Sequence, residues 1–579
     1  MKRRHRGRSF VRPPSFPRRS GLLYGVLVVA ALALLVRAVD LQLVDHSFLA
    51  GQGDARFLRV VAVPAHRGAI TDRNGEPLAV STPVESVWIN PQDFQDDPAS
   101  LGPVARALGL DRRDLARRVR ASADHQFLYL ARDLGPDAVR KVRALNVDGL
   151  NFTREYRRYY PAGEVTGHVV GFTNVDDAGQ EGAELAFDNW LAGADGAKRV
   201  IQDRNGRQVE DVESLRAVRP GRDLPLSLDL RIQYLAYREL KEAVQENRAS
   251  SGSVVVLDIS TGEVLAMVNQ PSYNPNDRGQ LQPAAYRNRA VTDMFEPGSS
   301  IKPFVVAAAL ASGRFSDSSL IDTNPGYVQV SNKVFKDEHN LGVTGLATIL
   351  AKSSNVGMAK IALQLQPQQI WSTLTRVGFG QVSGSGFPGE SGGQLTSYAH
   401  WRPITVATLS HGYGISVTAL QLADAYAVIG AYGVRHPVSL LRVDSPPGGQ
   451  QVLPASVCRS LLKLLQAVVT QEGATGVDAR IPGYRVAGKT GTVYQLVNGS
   501  YSDQVFRSVF AGIAPATNPR LVTVVTLDKP TAGKHTGGAV AAPVFSAVMG
   551  GALRLMGIAP DDVLSPADQA LRGEKVARL

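Results

Sequence analysis

The reading turns on one stretch, Pro297-Gly298-Ser299-Ser300-Ile301-Lys302-Pro303-Phe304-Val305-Val306-Ala307-Ala308-Ala309-Leu310. Pro and Gly ahead of an Ala-rich apolar run mark a helix start. That start places Ser299 in the first turn, with Lys302 three residues on and on the same face. A serine hydroxyl is a weak nucleophile unless a base accepts its proton. A lysine becomes that base when burial or another cation depresses its pKa, and Phe304, Val305 and Val306 supply apolar surroundings. Ser-x-x-Lys alone is common, and an ordinary helix start accounts for it in most sequences.

Two further short motifs follow. Ser353-Ser354-Asn355 falls in a mainly helical region spanning about residues 280–470. Its hydroxyl suits a proton relay and its amide suits a substrate carbonyl, although Ser and Asn are also routine turn and cap residues. Lys489-Thr490-Gly491-Thr492 follows Tyr484-Arg485-Val486-Ala487-Gly488 on a strand read over Tyr484–Tyr494. Gly491 allows a ligand backbone to come close. Lys489 with the hydroxyls of Thr490 and Thr492 can hold a carboxylate, and Lys489 is also a cation placed to depress Lys302.

The surroundings predict an α+β domain over residues 223–558. Asp229 caps a helix with Ile232, Leu235, Ala236, Leu240, Ala243 and Val244 on one face. Ser253–Asp258 and Glu263–Val268 read as a hairpin through Ser260-Thr261-Gly262. Ser508–Ala514 and Leu521–Leu527 read as further strands, and Ala541–Met556 as a last helix. Strands at both ends with helices between them give a central antiparallel sheet covered by helices. Residues 559–579 read as a loose polar tail.

Residues 45–222 mix short strands with charged helical stretches. Leu58–Val63 is strand-like, Asn74-Gly75 marks a hairpin turn within Arg67–Ala79, and Asp111–Val119 is a polar helix. Neither metal-ligand spacing nor a phosphate loop occurs there, so this part reads as a non-catalytic pedestal. Ahead of it, Ser20–Val36 is an uncharged apolar run that resumes past Arg37 to Val44, which predicts a membrane anchor over residues 20–44. Arg37 either snorkels or pairs with Asp40. Residues 1–19 are basic, which predicts a cytoplasmic N-terminus with the remainder on the far side. Cleavage as a signal peptide fits less well, because Val36-Arg37-Ala38 is a poor small-x-small site.

Composition closes off other classes. Of the net charge of +11, eight cations lie in the first twenty residues with no acid among them. Little is left to favour a nucleic-acid surface. One cysteine, Cys458, excludes an intramolecular disulfide framework and a multi-cysteine zinc site. With Leu461, Leu462, Leu464 and Leu465 behind it, Cys458 reads as a core residue of a helix.

Ser-x-x-Lys, Ser-x-Asn and Lys-Thr-Gly in this order belong to the penicillin-binding proteins and active-site-serine β-lactamases. The chain resembles the class B penicillin-binding proteins, most of all the septum-specific type 3 of Gram-negative bacteria, over about residues 38–556. Arg37-Ala38-Val39-Asp40-Leu41, Arg67–Ala79, Gly182-Ala183-Glu184-Leu185-Ala186-Phe187-Asp188, Gly412-Tyr413-Gly414-Ile415-Ser416-Val417-Thr418 and Gly537-Gly538 carry the likeness. The resemblance implies a penicillin-binding, β-lactamase-like transpeptidase domain behind a dimerisation-type pedestal. It implies peptidoglycan D,D-transpeptidation of stem peptides, inhibition by β-lactams, and no cofactor or metal. Ser299 would be the nucleophile, Lys302 its base and Ser353 the relay toward the leaving amine. Asn355 would fix the donor, and Lys489, Thr490 and Thr492 would bind its carboxylate. The N–H groups of Ser299 and Thr492 would form the oxyanion hole.

The resemblance also implies a periplasmic catalytic domain on the inner membrane, a partner glycosyltransferase of the SEDS type and other divisome proteins. Tyr413, Tyr494, His535 and Gly537 would line the cleft. Two departures stand out: Tyr494 occupies a position usually held by Arg, and His535-Thr536 replaces an aromatic pair. They suggest a specialised paralogue with its own drug affinities, and His535 would make a pH preference titratable. The alternatives are a β-lactamase or D,D-carboxypeptidase, and a non-catalytic β-lactam sensor or divisome subunit. The first lacks a convincing Glu-x-x-x-Asn element after Ser353, since Glu390 sits in a Gly-rich loop. The second lacks a cytoplasmic signalling domain.

Overall fold

The computed structural model describes residues 17–48, 51, 58–92, 98–202, 208–277, 279, 283–497 and 499–562. Residues 1–16 of the basic tail and 563–579 of the polar tail therefore lie outside the described residues. The chain forms two compact units. The smaller comprises residues 1–64, 85–155 and 195–218, and the larger residues 65–84, 156–194 and 219–579.

In the smaller unit the apolar run is helical over Pro17–Val39 and continues as a wider turn over Asp40–Val44. Its apolar side chains stand exposed, Leu22 and Leu34 each at 72%. Arg37 pairs with Asp40, the second of its two expected fates. A 26-residue stretch, Arg19–Val44, holding an 18-residue window of mean hydropathy 2.5 with no burial, is long enough to cross a bilayer. The other such stretch among the described residues, Gly537–Leu555, has 56% of its most apolar 18-residue window buried and packs in a core, so the first is the candidate single span. Leu58–Val63 pairs antiparallel with Gly196–Gln202, which in turn pairs with Gln208–Arg216. The helix Arg112–Ala121 begins where Asp111 accepts from the N–H groups of Arg113 and Asp114.

In the larger unit the elements that build the site are numbered in chain order. They are α1 (Leu230–Glu246), β1 (Ser251–Asp258), β2 (Val264–Gln270), α2 (Lys302–Ala311), α3 (Leu346–Ala351), α4 (Asn355–Ala362), α5 (Ala419–Gly430), α6 (Ala455–Thr470), β3 (Ala487–Val497), β4 (Ser500–Ala514), β5 (Leu521–Asp528) and α7 (Ala542–Leu555). The sheet order is β2-β1-β5-β4-β3, and every pair is antiparallel. Period-two alternation sends Val255 and Leu257 of β1 into a core with Phe304 of α2, Leu420 of α5 and Leu461 of α6. Val254 and Val256 face a second core with Ile232 and Leu240 of α1 and Phe545 of α7. Helices on both faces explain why all of β1 is buried. The expected antiparallel sheet between helices is what the chain builds, and Asp229 caps α1 by accepting from Arg231 N. Cys458 is fully buried on α6, where burial pushes its thiol up to about 12.

Local readings need adjustment at three places. Tyr484–Val486 precede the strand, which begins at Ala487; Tyr484 instead bridges Ile481. The stretch 280–470 contains short strands at Leu320–Asp322, Tyr327–Val330, Lys333–Lys336 and Val343–Gly345, too short to impose a visible alternation. Ser299 sits in a 3-10 turn, Gly298–Ile301, just ahead of α2 rather than in its first α-turn.

Arg67 and Gly182–Asp188, which the sequence set apart, meet in the interior of this unit. Glu184 accepts from Arg67 Nε at 2.8 Å and from Arg158 Nε at 2.6 Å, while Arg67 also reaches Asp188 at 2.7 Å. Arg67, Arg158 and Glu184 have side chains at most 1% exposed. Removing one partner from such a buried group costs about 3–5 kcal/mol, because an unpaired charge remains in the interior.

Candidate active site

The three motifs converge at the free edge of the sheet. Gly298, at φ +54°, turns the chain so tightly onto β3 that a Cβ would come within 2.6 Å of Val493. Pro297 O and Ser300 N lie against Gly491, 3.0 and 3.7 Å from where its Cβ would be. Ser299 is thereby held beside the Lys489-Thr490-Gly491-Thr492 strand. Tyr426 of α5 fixes the turn from behind by donating to Ser300 O at 2.8 Å. Ser299 is half-buried, and its hydroxyl makes no hydrogen bond among the described residues.

Ser353 lies between α3 and α4 at φ +58°. That left-handed conformation is uncommon for a residue with a side chain and marks a position held by its surroundings. Its Oγ accepts from Lys302 Nζ at 3.2 Å and from Lys489 Nζ at 3.0 Å. Lys302 also donates to Ser353 O at 2.5 Å and Asn355 Oδ1 at 2.9 Å. Lys489 donates to Thr490 O at 3.1 Å and Thr490 Oγ1 at 3.2 Å. Thr490 Oγ1 donates onward to Thr475 Oγ1 at 2.8 Å. Ser353 is thus an acceptor from both lysines and donates to nothing among the described residues, so its own proton is free to point into the cleft.

Both ammonium groups are fully buried. Burial pushes Lys302 down to about 7, opposed by the carboxylate of Asp337. Lys489 is pushed far below its ordinary value, first by burial and then by the charge on Lys302. Lys489, expected as a cation that lowers Lys302, is not among the causes there, where burial alone disfavours the ammonium; the repulsion is felt at Lys489, second to desolvation. No hydrogen bond joins Lys302 Nζ to Ser299 Oγ, because the amine turns toward Ser353 and Asn355. Catalytic contacts in unliganded sites are often long and tighten with substrate.

Gly537 closes the strand side. A Cβ there would lie 2.4 Å from Gly491 O, and its N–H donates to Thr492 Oγ1 at 3.0 Å. His535 stacks on Phe506 at 4.0 Å between ring centroids, and Phe506 in turn contacts Tyr494 at 5.2 Å. The two departures from the family pattern are thus linked through Phe506. Tyr413 OH accepts from Tyr494 N at 3.2 Å, and burial pushes that phenol up to about 12. Its ring also meets Tyr501 at 5.2 Å.

Asp337 was not apparent from the sequence. Its carboxylate accepts from Asn355 N at 2.6 Å, Val356 N at 3.0 Å and Ser354 Oγ at 2.5 Å, so it caps α4 and holds the middle motif in place. A carboxylate at a helix N-terminus is favoured by the backbone dipoles there. Asp337→Asn retains an acceptor for the two N–H groups and removes the charge. Acylation by penicillin is expected to slow about tenfold, the scale of one lost charge-assisted hydrogen bond. The acid limb of its pH–rate profile should move to lower pH, because the charge that favours the Lys302 ammonium is gone. A slower rate with an unmoved limb would restrict Asp337 to helix capping.

Known proteins resemble this chain in sequence and fold. The family profile described as penicillin binding protein transpeptidase domain matches residues 252–550. The chain belongs to the penicillin-binding protein transpeptidases. A second profile, the penicillin-binding protein dimerisation domain, matches residues 62–226, as in a class B member. Among relatives of this penicillin-binding protein, the probable peptidoglycan D,D-transpeptidase PbpC of Pseudomonas aeruginosa is 43% identical over 547 residues, covering 94% of this chain and 97% of the relative. Peptidoglycan D,D-transpeptidase FtsI of Escherichia coli is 44% identical over 549 residues, covering 94% and 92%. Among solved structures, penicillin-binding protein 3 of Mycobacterium tuberculosis complexed with aztreonam aligns at a TM-score of 0.68 and 29% identity, covering 86% of this chain and 98% of that one. The transpeptidase domain of Burkholderia pseudomallei penicillin-binding protein 3 aligns at 0.54 and 40% identity, covering 58% and 98%.

Proposed function

We propose that this penicillin-binding protein is a septal peptidoglycan D,D-transpeptidase that works through an acyl-enzyme on Ser299. The observation that carries the reading is the buried Lys302–Ser353–Lys489 network beside that serine. The neutral amine of Lys302 takes the Ser299 proton as Oγ attacks the carbonyl between two terminal D-alanines. The N–H groups of Ser299 and Thr492 receive the developing oxyanion, each donor being worth about 3 kcal/mol in comparable sites. Ser353 passes its proton to the leaving amine and takes the one that Lys302 gained in its place, so D-alanine departs, an ester remains on Ser299, and Lys302 is neutral again. The amine of a second stem peptide then attacks the ester. Its proton returns through Ser353 and Lys302, and Ser299 is released as a hydroxyl. Lys489, Thr490 and Thr492 hold the donor carboxylate, and Asn355 holds its amide. β-Lactams acylate the same oxygen because they present the same carbonyl and carboxylate.

The candidate span anchors the chain in the inner membrane with residues 1–19 in the cytoplasm, as their positive charge favours. Residues 45–222 serve as a non-catalytic pedestal and residues 223–558 as the periplasmic transpeptidase. Glycan polymerisation belongs to a partner of the SEDS type within the divisome. Tyr413, Tyr494, His535 and Gly537 shape the cleft around the donor.

Labelling of the full chain in detergent with a fluorescent penicillin tests the reaction class. A covalent band that persists for many minutes is the expected result. A band that forms and decays within seconds would replace the transpeptidase by a β-lactamase-like hydrolase.

A further inference from the structure

Two fully buried amines share one hydroxyl in this site. Lys302 Nζ lies 3.2 Å and Lys489 Nζ 3.0 Å from Ser353 Oγ, so the two nitrogens are no more than two hydrogen-bond lengths apart. Their surroundings are unequal. The carboxylate of Asp337 favours the Lys302 ammonium, which also donates to Ser353 O and Asn355 Oδ1. No carboxylate faces Lys489 among the described residues. Its other partners are Thr490 O and Thr490 Oγ1, and the charge that acts on it is the repelling one of Lys302. Lys352 turns away, donating to Glu472 O and Gly473 O at 2.9 Å each. His411 adds no charge, since burial and then Lys302 push its imidazole down to about 3. Two ammonium groups so placed exclude one another. The one proton they can hold near neutral pH rests on Lys302, and a base that holds a proton cannot take another from Ser299.

We propose that the donor's own carboxylate switches the base on, by drawing the proton of the pair from Lys302 to Lys489. The inference rests on the transpeptidase reading. A carboxylate held at Thr490 and Thr492 supplies the counter-charge that Lys489 lacks. Ser353 carries the transfer: its Oγ takes a proton from Lys302 Nζ and gives its own to Lys489 Nζ. Ser353 is unchanged, Lys302 is left as a neutral amine and Lys489 as an ammonium. The new ammonium then opposes any return of a solvent proton to Lys302. The competing role of the carboxylate is binding alone, with Lys302 titrating as it does in the empty site. The sign separates the two. A negative charge that merely sat in the cleft would favour the Lys302 ammonium and raise its pKa; a proton passed to Lys489 lowers it.

Penicillin and its methyl ester decide between these roles, with the full chain in detergent labelled between about pH 5 and 8. The step is the same for both: Ser299 Oγ bonds to the lactam carbonyl, the C–N bond breaks, and the serine proton passes by Lys302 and Ser353 to that nitrogen. Only the acid brings a charge. At saturating probe the acylation rate reports the acid limb of the complex. The limb with penicillin is expected about one pH unit or more below that with the ester, so that the acid is favoured about tenfold at pH 6 and the gap closes toward pH 8. Limbs that coincide, or a limb that rises with the acid, overturn the proposal. Should the ester fail to saturate, penicillin alone decides, because its concentration dependence gives the limb of the free enzyme and that of the complex. A lower limb in the complex supports the transfer, and an equal or higher one overturns it. A chain that takes up neither probe at any pH overturns the transpeptidase reading as well.

Discussion

Ser299→Ala is expected to abolish covalent labelling by penicillin and turnover of a thioester donor, with a fall on the order of 10⁶-fold, the scale observed when an acyl-transfer enzyme loses its nucleophile. The fold should be indifferent to the change. Ser299 is half-buried, and its hydroxyl has no partner among the described residues, so its removal leaves no orphaned donor or acceptor. Such substitutions usually stay within about 0.5 kcal/mol. Thermal unfolding matched to the wild type, together with a missing band, would separate chemistry from stability. A persistent band in the variant would move the nucleophile elsewhere, with Ser353 the next oxygen to test.

The second large effect concerns Lys302. Acylation requires the neutral amine, so the rate should rise about tenfold per pH unit on the acid side and level off near pH 7, the value to which burial lowers this group. An ordinary lysine would place that limb near 10.5. Lys302→Met fills a similar volume without a base or charge. It should slow acylation by about 10²–10⁴-fold and abolish the limb. The same substitution removes the repulsion that helps to depress Lys489, so Lys489 should hold its proton more tightly. A pH profile in the variant identical to that of the wild type would assign the base to another group.

The motifs were legible because their chemistry fixes residue type over short spacings: a base three residues from a hydroxyl, and an amide two residues from another. What unites them was not, since Ser353 Oγ meets Lys302 and Lys489 only through the packing of α2, α3 and β3. Burial of Lys302 was legible in the apolar run Phe304-Val305-Val306 behind it, whereas nothing near Lys489 announced that it too is buried, and at both lysines burial sets the chemistry. Asp337 passed unnoticed because a lone acid has no pattern. It acquires meaning from a helix end contributed by a distant segment. The strands of the main sheet were readable as short apolar runs, the first two joined by a turn, and the cap at Asp229 from its side-chain chemistry; Asp111, read as part of its helix, turned out to be the cap. The short strands between residues 320 and 345 were not, because three or four residues cannot establish a period.

The strand order also bears on how the molecule is made. β1 lies in the interior of the sheet, yet its neighbour β5 comes from near the end of the chain, and β3 joins only through β4. Such pairing gives a high contact order and slow assembly. During synthesis Ser299, Ser353 and Lys489 all emerge before the strand that ties β1–β2 to β3–β4. A message truncated just before Leu521 would still encode every residue of the three motifs, but its product would hold two separate ribbons with apolar edges exposed. That product is a substrate for proteolysis rather than a weak enzyme, so nonsense mutations even this late should behave as complete losses.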